Sequence, residues 1–460
     1  MMSSASPDVI FIGAGVAGLR AAVAAADRGA RVLVLEAKAV LGGRATAFGD
    51  PQTGERVDNG QHVLLGCYDE TFAFLRQVGT EARVLVQPNL AVDFVDGAGG
   101  RSRLRLPPLP APLNLLGGLF DWEALDWRDR IAALSLARPI RIAQAGQRAH
   151  GGQRAEGGGQ KAMHIAASPG ETVEEWLIAN GQTARLREML WEPLALAALN
   201  QSIRKAAAPP FVAVLARMFG GGVRDAALAL PLCPLDELYA EPARRFIEAR
   251  GGEVRIGTPA RIHLAGARVS AVEARGERLR TGAVVVAVPW YVLPDLFSGD
   301  LAPVEQLRAS AAGTSASPIA SVNLWLDRPV LHTRFLGLPG RSMQWVFDKA
   351  QMFEAGTSHL TLVSSGADEM MAIPNDALIA LALRELRDAL PDVRAAKVLR
   401  ASVFRERRAT FSLAPGQPAR PGTRTNVEQL FLAGDWIETG LPATIEGAAI
   451  SGRRAAEAIS

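Results

Sequence analysis

The sequence predicts an α/β fold in which a Rossmann-type nucleotide-binding domain is interleaved with a second domain of α+β character. Three observations lead there. A glycine-rich turn, Gly13-Ala14-Gly15-Val16-Ala17-Gly18, joins a short apolar run to an Ala-rich helical run. A second apolar run ends on an acid, Glu36, 18 residues beyond Gly18. Apolar strand signals then recur far along the chain, around Val254, Val285 and Phe431. At 460 residues the chain exceeds the roughly 250 to 300 residues at which single cores stop growing, so two intergrown domains are expected.

Asp8 to Ile12 reads as the first strand, the run through Asp27 as a helix with Gly29 at its C-cap, and Arg31 to Leu35 as the second strand, which together make a βαβ unit. A helix from Asp236 to Arg250 leads into a strand over Gly251 to Ile256. Ala260 to Ala274 and Glu277 to Thr281 then form a hairpin, and Ala283 to Val288 is a buried strand stopped by Pro289. Near the C-terminus a strand, Leu430 to Ala433, meets the turn Gly434-Asp435 and a helix from about Ala443 to Ile459. Residues 1–68, 234–297 and 418–460 are therefore assigned to the nucleotide-binding domain, and 69–233 with 298–417 to the second. The second domain mixes apolar helices with strand-like runs such as Ile319 to Leu326 and His359 to Ser364. His150 to Lys161, rich in Gly, Gln and Arg, reads as a mobile surface loop.

The bulk composition excludes several classes. Lys plus Arg number 50 against 47 Asp plus Glu, an excess too slight for the concentrated basic face that a nucleic-acid backbone requires. The two cysteines, Cys67 and Cys233, are far apart and have no neighbours at metal-ligand spacing, which argues against a disulfide framework or a metal site and fits a reducing cytoplasm. The N-terminal apolar run has no basic region ahead of it and turns into the glycine loop, so it is a strand rather than a signal peptide. Leu106 to Phe120 is broken by four prolines and two glycines, and Ala309 to Leu326 carries several hydroxyl residues. Neither matches the roughly 20 mainly apolar residues of a spanning helix.

A lone G-x-G-x-x-G is a weak signal, and its competing reading is an ordinary glycine-rich turn with a surface acid. Its position after a strand, before a helix and ahead of Glu36 makes it specific. Gly13 permits the tight turn, Gly15 lets the backbone approach a pyrophosphate at the helix N-terminus, and Gly18 allows helix and strand to pack closely. Glu36 is placed to accept hydrogen bonds from ribose hydroxyls and disfavours a 2′-phosphate. Directly after the second strand, Gly42-Gly43-Arg44 supplies a loop able to close over a diphosphate and a guanidinium to neutralise it.

With Gly42-Gly43-Arg44 the chain resembles the flavin amine oxidase and phytoene desaturase superfamily. Leu432-Ala433-Gly434-Asp435-Trp436 and the run Pro442 to Ala448 extend that likeness to the C-terminus. The resemblance implies bound FAD in a GR2-like Rossmann domain, with Asp435 on the ribityl hydroxyls and the last helix pointing its N-terminus at the pyrimidine. A helix N-terminus stabilises an anion by roughly 0.3 to 1 kcal/mol, which suits a reduced flavin. The FAD-contacting positions it implies are Gly13, Gly15, Val16, Ala17, Gly18, Glu36, Ala37, Gly42, Gly43, Arg44, Gly60, Gln61, His62, Val254, Gly434, Asp435, Thr444, Ile445 and Gly447. Val254 would meet the adenine through its backbone. No cysteine lies near Gly434 to Gly440, so FAD is expected to be non-covalent. For Asp435 the competing reading is a surface turn.

The segments Val57 to Tyr68 and Leu190 to Asn200 closely resemble the squalene-associated branch of this superfamily. That likeness implies that reduced FAD delivers hydride as water leaves hydroxysqualene, giving squalene in bacterial hopanoid synthesis, with an electron donor to renew the flavin. Pro107 to Phe120, Trp122, Trp127 and Pro209 to Phe219 offer apolar surface for a triterpenoid substrate, each buried methylene contributing about 0.8 kcal/mol. Taken singly, those residues read equally as plain core. Leu113 to Phe120 with Trp122 and Trp127, flanked by Arg101, Arg103, Arg105, Arg128 and Arg130, is a candidate peripheral membrane contact on the cytoplasmic face. The alternative is a solvated helix face with buried aromatics.

Dehydroxylation needs a proton for the leaving hydroxyl and a dry cavity around the allylic cation. His62 is the first candidate acid, because an imidazole titrates near neutrality, and Asp58 the group to orient or charge it. The competing readings are a packing histidine and a turn-capping aspartate. Tyr68 and Glu446 are further candidates, and Trp290 or Trp345 could face the cation. Three other functions remain open on the sequence: a carotenoid-type desaturase, an amine oxidase, and a non-catalytic FAD-binding scaffold.

Overall fold

The computed structural model describes residues 6–50, 52–58, 60–149, 167–353 and 358–459; the segment read as a loop over His150 to Lys161 lies outside them. A parallel five-stranded sheet runs in the order Glu253–Arg255, Val32–Leu35, Val9–Ile12, Ala283–Val286, Leu430–Leu432. Its three central strands are buried along their whole length, which is why they are runs of Val, Ile, Leu and Phe rather than alternating patterns. Strands distant in sequence thus form one sheet, as the apolar signals indicated.

The helices Val16–Asp27 and Ile445–Ile459 pack against each other. At their crossing a Cβ on Gly452 would lie 2.4 Å from the Ala17 carbonyl oxygen, so only glycine permits the approach. The helix expected over Asp236 to Arg250 is interrupted. A wide π-type turn, Asp236–Ala240, precedes the α-helix Glu241–Glu248, and Pro242, which lacks an N–H, sits in the first turn of that helix. Beside this unit the strands Glu277–Leu279, Val269–Ala274, Ala260–Leu264 and Phe297–Gly299 form a four-stranded sheet.

A seven-stranded mixed sheet follows the order Val398–Phe411, Ala316–Leu326, Ser358–Ser365, Trp345–Asp348, Phe335–Gly337, Ala91–Val95, Arg101–Arg105. Period-two alternation divides its side chains between two faces. Val346, Leu360 and Leu362 enter a core with Leu378, Ala382 and Leu386 of the helix Asn375–Ala389. Trp345, Phe347 and Val363 face the other way, into a cavity.

A helical group completes the fold, with Trp122, Trp176, Trp191 and Phe211 fully buried. Trp122 therefore leaves the surface patch in which the sequence placed it. Trp127, on the helix Trp127–Leu134, is 66% exposed, and Leu113, Phe120, Ile131, Leu134 and Ile142 are exposed with it. Among the described residues no helix is long and apolar enough to cross a membrane.

Candidate active site

A cavity of about 550 Å³ extends from the Gly13–Gly18 turn to the inner face of the seven-stranded sheet, within the range of small-molecule sites. Its wall includes Gly13, Gly15, Val16, Ala17, Glu36, Ala37, Gly42, Gly43, Arg44, Gly60, Gln61, His62, Gly434, Asp435, Thr444 and Ile445. Six sequence candidates do not line it: Gly18, Val254, Gly447, Asp58, Glu446 and Trp290; nor does any residue of Pro107 to Phe120 or Pro209 to Phe219, or Trp122 or Trp127, which the sequence offered for the substrate. Gly18 acts on the turn from behind, since a Cβ there would lie 2.0 Å from the Gly13 carbonyl oxygen. Val254 is buried in its strand beside Val34. Gly447 donates its N–H to Thr444 Oγ1 at 3.0 Å.

The nucleotide end is built for a polyanion. Gly13 has φ +105°, the left-handed region that glycine tolerates, and redirects the chain from strand to helix. The helix Val16–Asp27 begins at Gly15 with no side-chain cap and no acid in its first turn, which leaves its N–H groups and positive dipole end open to an anion. Gly43 comes so close that a Cβ on it would lie 3.2 Å from Gly15 Cα. Glu36 is buried at the end of its strand, and its carboxylate accepts the Ala14 and Lys38 N–H groups, both at 2.8 Å. These features fit the diphosphate and ribose of FAD.

Further in, Arg44 forms an ion pair with Asp435 at 2.5 Å and donates to the Ala409 carbonyl at 2.9 Å. Burial works against the guanidinium charge, and the Asp435 carboxylate outweighs it, so the Arg44 pKa is raised. Its guanidinium carbon lies 5.4 Å from the centre of the Trp290 ring. Trp290 itself is fully buried, donates Nε1 to the Thr314 carbonyl at 3.1 Å and does not line the cavity, whereas Trp345 does.

His62 faces the cavity, and its buried Nδ1 has no hydrogen-bond partner among the described residues. Burial lowers its pKa, the Asp58 carboxylate pulls it up, and the Lys349 ammonium lowers it again; the net shift is downward. The sequence set Asp58 beside His62 as its partner. The structure instead pairs Asp58 with Lys349 at 2.7 Å, both fully buried, and Asp58 reaches His62 only through its field. Tyr68 lines the cavity, with its phenol pKa raised by burial. Glu446 is turned away: it accepts Thr71 N–H and Oγ1–H at 2.8 Å, the Glu70 N–H at 3.2 Å and Arg217 Nη2 at 2.7 Å. Both cysteines are buried and free, and burial pushes the Cys67 thiol up to about 12.

The sequence did not single out Lys349, Phe335, Phe347, Val363, Glu406 or Thr410. The alternation of strand Trp345–Asp348 carried a signal for Phe347 once Trp345 was considered. Nothing local marked Lys349, whose partner Asp58 lies 291 residues away.

A glycine cradle at the ends of a parallel sheet, opening into a chamber walled by a second sheet, defines a dinucleotide-dependent protein with a separate substrate space. The chain belongs to the family of flavin-containing amine oxidoreductases, whose profile matches residues 16–460. It is 32% identical over 469 aligned positions to a hydroxysqualene dehydroxylase of Rhodopseudomonas palustris, covering 99% of this chain and 98% of the relative. A hydroxysqualene dehydroxylase of Sinorhizobium fredii is 30% identical, with 98% and 97% covered. A 15-cis-phytoene desaturase of Solanum lycopersicum is 26% identical over 98% of this chain and 77% of its own. Among solved structures, an oxidoreductase from Methanosarcina mazei superimposes with a TM-score of 0.73 at 17% identity, covering 98% of this chain and 99% of that one. The protein is an enzyme, an FAD-dependent oxidoreductase of the α/β class.

Proposed function

We propose that the enzyme reduces hydroxysqualene to squalene with loss of water, in hopanoid or triterpenoid biosynthesis. The observation that carries this reading is full-length similarity to hydroxysqualene dehydroxylases, in a chain whose cradle opens into a chamber lined by Leu196, Ile319, Phe335, Trp345, Phe347 and Val363. A substrate that is hydrocarbon except for one hydroxyl matches such a wall.

The turn Gly13–Gly18, with Gly42 and Gly43, would receive the diphosphate, Glu36 and Ala37 the adenosine ribose, and Arg44, Gly60, Gln61, Gly434, Asp435, Thr444 and Ile445 would surround the remainder of a non-covalent FAD. When bound and reduced, FAD supplies the hydride. His62 would face the substrate hydroxyl with Nδ1; in its imidazolium form it would give one proton to the hydroxyl as that group departs as water, return to the neutral ring, and take up a proton from solvent before the next turnover. Burial lowers the His62 pKa, which makes its imidazolium the stronger proton donor. Asp58 acts on it at a distance, offset by Lys349. The apolar wall keeps other water from the allylic cation. Residues 1–68, 234–297 and 418–460 form the FAD-binding domain in this reading, and 69–233 with 298–417 the substrate domain.

Incubating photoreduced enzyme with hydroxysqualene under anaerobic conditions tests the proposal. Squalene is the expected product, with stoichiometric reoxidation of the flavin. A carotenoid-type desaturase, the second reading favoured by the phytoene desaturase similarity, would instead consume oxidised FAD and introduce a double bond into a polyene precursor. Absence of any substrate-dependent flavin change would identify a binding scaffold.

The substrate resides in bilayers, and the enzyme is expected to reach it from the cytoplasmic face. Leu113, Phe120, Trp127 and Ile131 form an exposed apolar surface on neighbouring helices, next to the exposed Arg101, Arg103, Arg105 and Arg128. Interfacial docking suits such a pattern. Burying a Trp or Ile side chain is worth roughly 1.5 to 3 kcal/mol. The double variant Trp127→Glu, Ile131→Glu is therefore expected to lose at least about tenfold in co-sedimentation with anionic vesicles. Unchanged sedimentation would remove the membrane from the proposal.

A further inference from the structure

The hairpin of Ala47–Gly49 and Arg56–Asp58 is fastened to the seven-stranded sheet by three acids. Asp50 pairs with Arg400 on strand Val398–Phe411. Glu55 accepts Trp325 Nε1–H at 2.7 Å from the adjacent strand and lies 3.6 Å from His359 Nδ1 on the next. Asp58 pairs with Lys349, which directly follows the fourth strand. The order of the acids along the hairpin is thus the order of the strands across the sheet.

The last of these contacts differs from the others, because both partners are fully buried: Lys349 and Asp58 are each 2% exposed. Burying an ammonium is costly even when it is paired, and a polar residue would have held the hairpin at less expense. The ammonium has a second use. Besides Asp58 it donates to Gln61 Oε1, and Gln61 lines the cavity. A carboxamide offers one acceptor and one donor group. With its oxygen taken by Lys349, Gln61 donates one Nε2–H to the His62 carbonyl at 3.0 Å and retains a second N–H. Lys349 therefore decides which end of the amide is left for a ligand.

We propose that Lys349 is a positioning residue for the cofactor: anchored by Asp58, it locks the Gln61 carboxamide so that the cavity wall at Gln61–His62 presents an N–H donor to acceptor atoms of the FAD ring system. Carbonyl oxygens and ring nitrogens of a heteroaromatic are the chemistry such a donor recognises. The inference rests on the cavity being the FAD site.

The test uses the full-length protein and reads FAD affinity and the visible flavin spectrum. Lys349→Met is expected to weaken FAD binding about tenfold, the scale of one buried hydrogen bond, and to shift the flavin absorption bands. Since Lys349→Met alone leaves Asp58 without its counter-ion and risks misfolding, the deciding protein is the double variant Asp58→Asn, Lys349→Met. It is expected to recover the wild-type melting temperature while keeping the weakened affinity and altered spectrum. Adding Gln61→Leu to it should change neither further, because the same hydrogen bond is already lost. A double variant with wild-type affinity and spectrum overturns the proposal, leaving Lys349 as nothing more than the counter-ion of Asp58. Gly43→Leu, which fills the cradle, separates the two ways of failing. If it abolishes FAD binding while the double variant behaves as wild type, the role of Lys349 is wrong. If it leaves FAD binding intact, the location of the cofactor is wrong.

Discussion

Gly18→Ala is expected to produce a protein that purifies without flavin, with FAD affinity reduced at least about a hundredfold, or roughly 2.7 kcal/mol. Helix propensity alone points the other way, because replacing an interior helical glycine by alanine ordinarily stabilises by about 1 kcal/mol. Space decides the sign here. The added Cβ would lie 2.0 Å from the Gly13 carbonyl oxygen and 3.0 Å from Ala287 Cβ. The first of these is backbone and cannot rotate aside, so the turn itself must move. Overpacking costs about 1 to 3 kcal/mol, and the displacement falls on the N–H groups that meet the diphosphate. Flavin absorbance of the purified variant and an FAD titration measure the effect; wild-type affinity would show that the Gly13–Gly18 contact is irrelevant to the cofactor.

Arg217→Met is expected to destabilise the fold by about 3 kcal/mol at neutral pH, near the lower end of what breaking a buried ion pair costs. Arg217 donates to Glu446, which is 0% exposed, and to the Cys67 carbonyl. Three donors remain to Glu446 from Glu70 and Thr71, which keeps the loss from being larger. Burial raises the Glu446 pKa, while its hydrogen bonds to Thr71 and the charge of Arg217 lower it. A carboxyl with a raised folded pKa favours the folded state below its unfolded pKa, and that advantage is lost as pH rises through the folded value. Removing Arg217 raises the folded pKa further, so the deficit of the variant is complete above it and shrinks on acidification. Denaturant midpoints at pH 5 and pH 8 give the comparison; a deficit that grows toward low pH would contradict this account of Glu446.

The sequence displayed much of the cavity wall because its parts are contiguous motifs with one local job each. Gly13 to Gly18, Gly42-Gly43-Arg44 and Gly434-Asp435 all carry backbone requirements that only a few residue types meet, and such requirements are visible without a partner. The buried parallel strands were equally visible, as uninterrupted aliphatic runs. Side chains whose meaning depends on a distant partner were not. Trp122 and Trp127 occupy similar settings in the sequence, each directly between charged residues, yet one is in the core and the other in solvent. Trp290 and Trp345 looked equivalent, and tertiary packing alone directs Trp345 to the cavity. Asp58 and His62 invited pairing by proximity. A lysine 291 residues from Asp58 takes that carboxylate instead, against the usual preference of lysine for the surface.

The order of the central sheet also bears on synthesis. Val9–Ile12 is flanked on one side by Val32–Leu35, made almost at once, and on the other by Ala283–Val286, whose outer neighbour is Leu430–Leu432. Asp435 and the helix Ile445–Ile459 are made some four hundred residues after the glycine turn. At a typical rate of about 5 to 20 residues per second, the early βαβ unit waits tens of seconds with its apolar faces uncovered. If the cavity is the FAD site, the cofactor can join only after both stretches have been made, so supply of FAD acts late in maturation, when the polypeptide either closes around its ligand or is surrendered to chaperones and proteases.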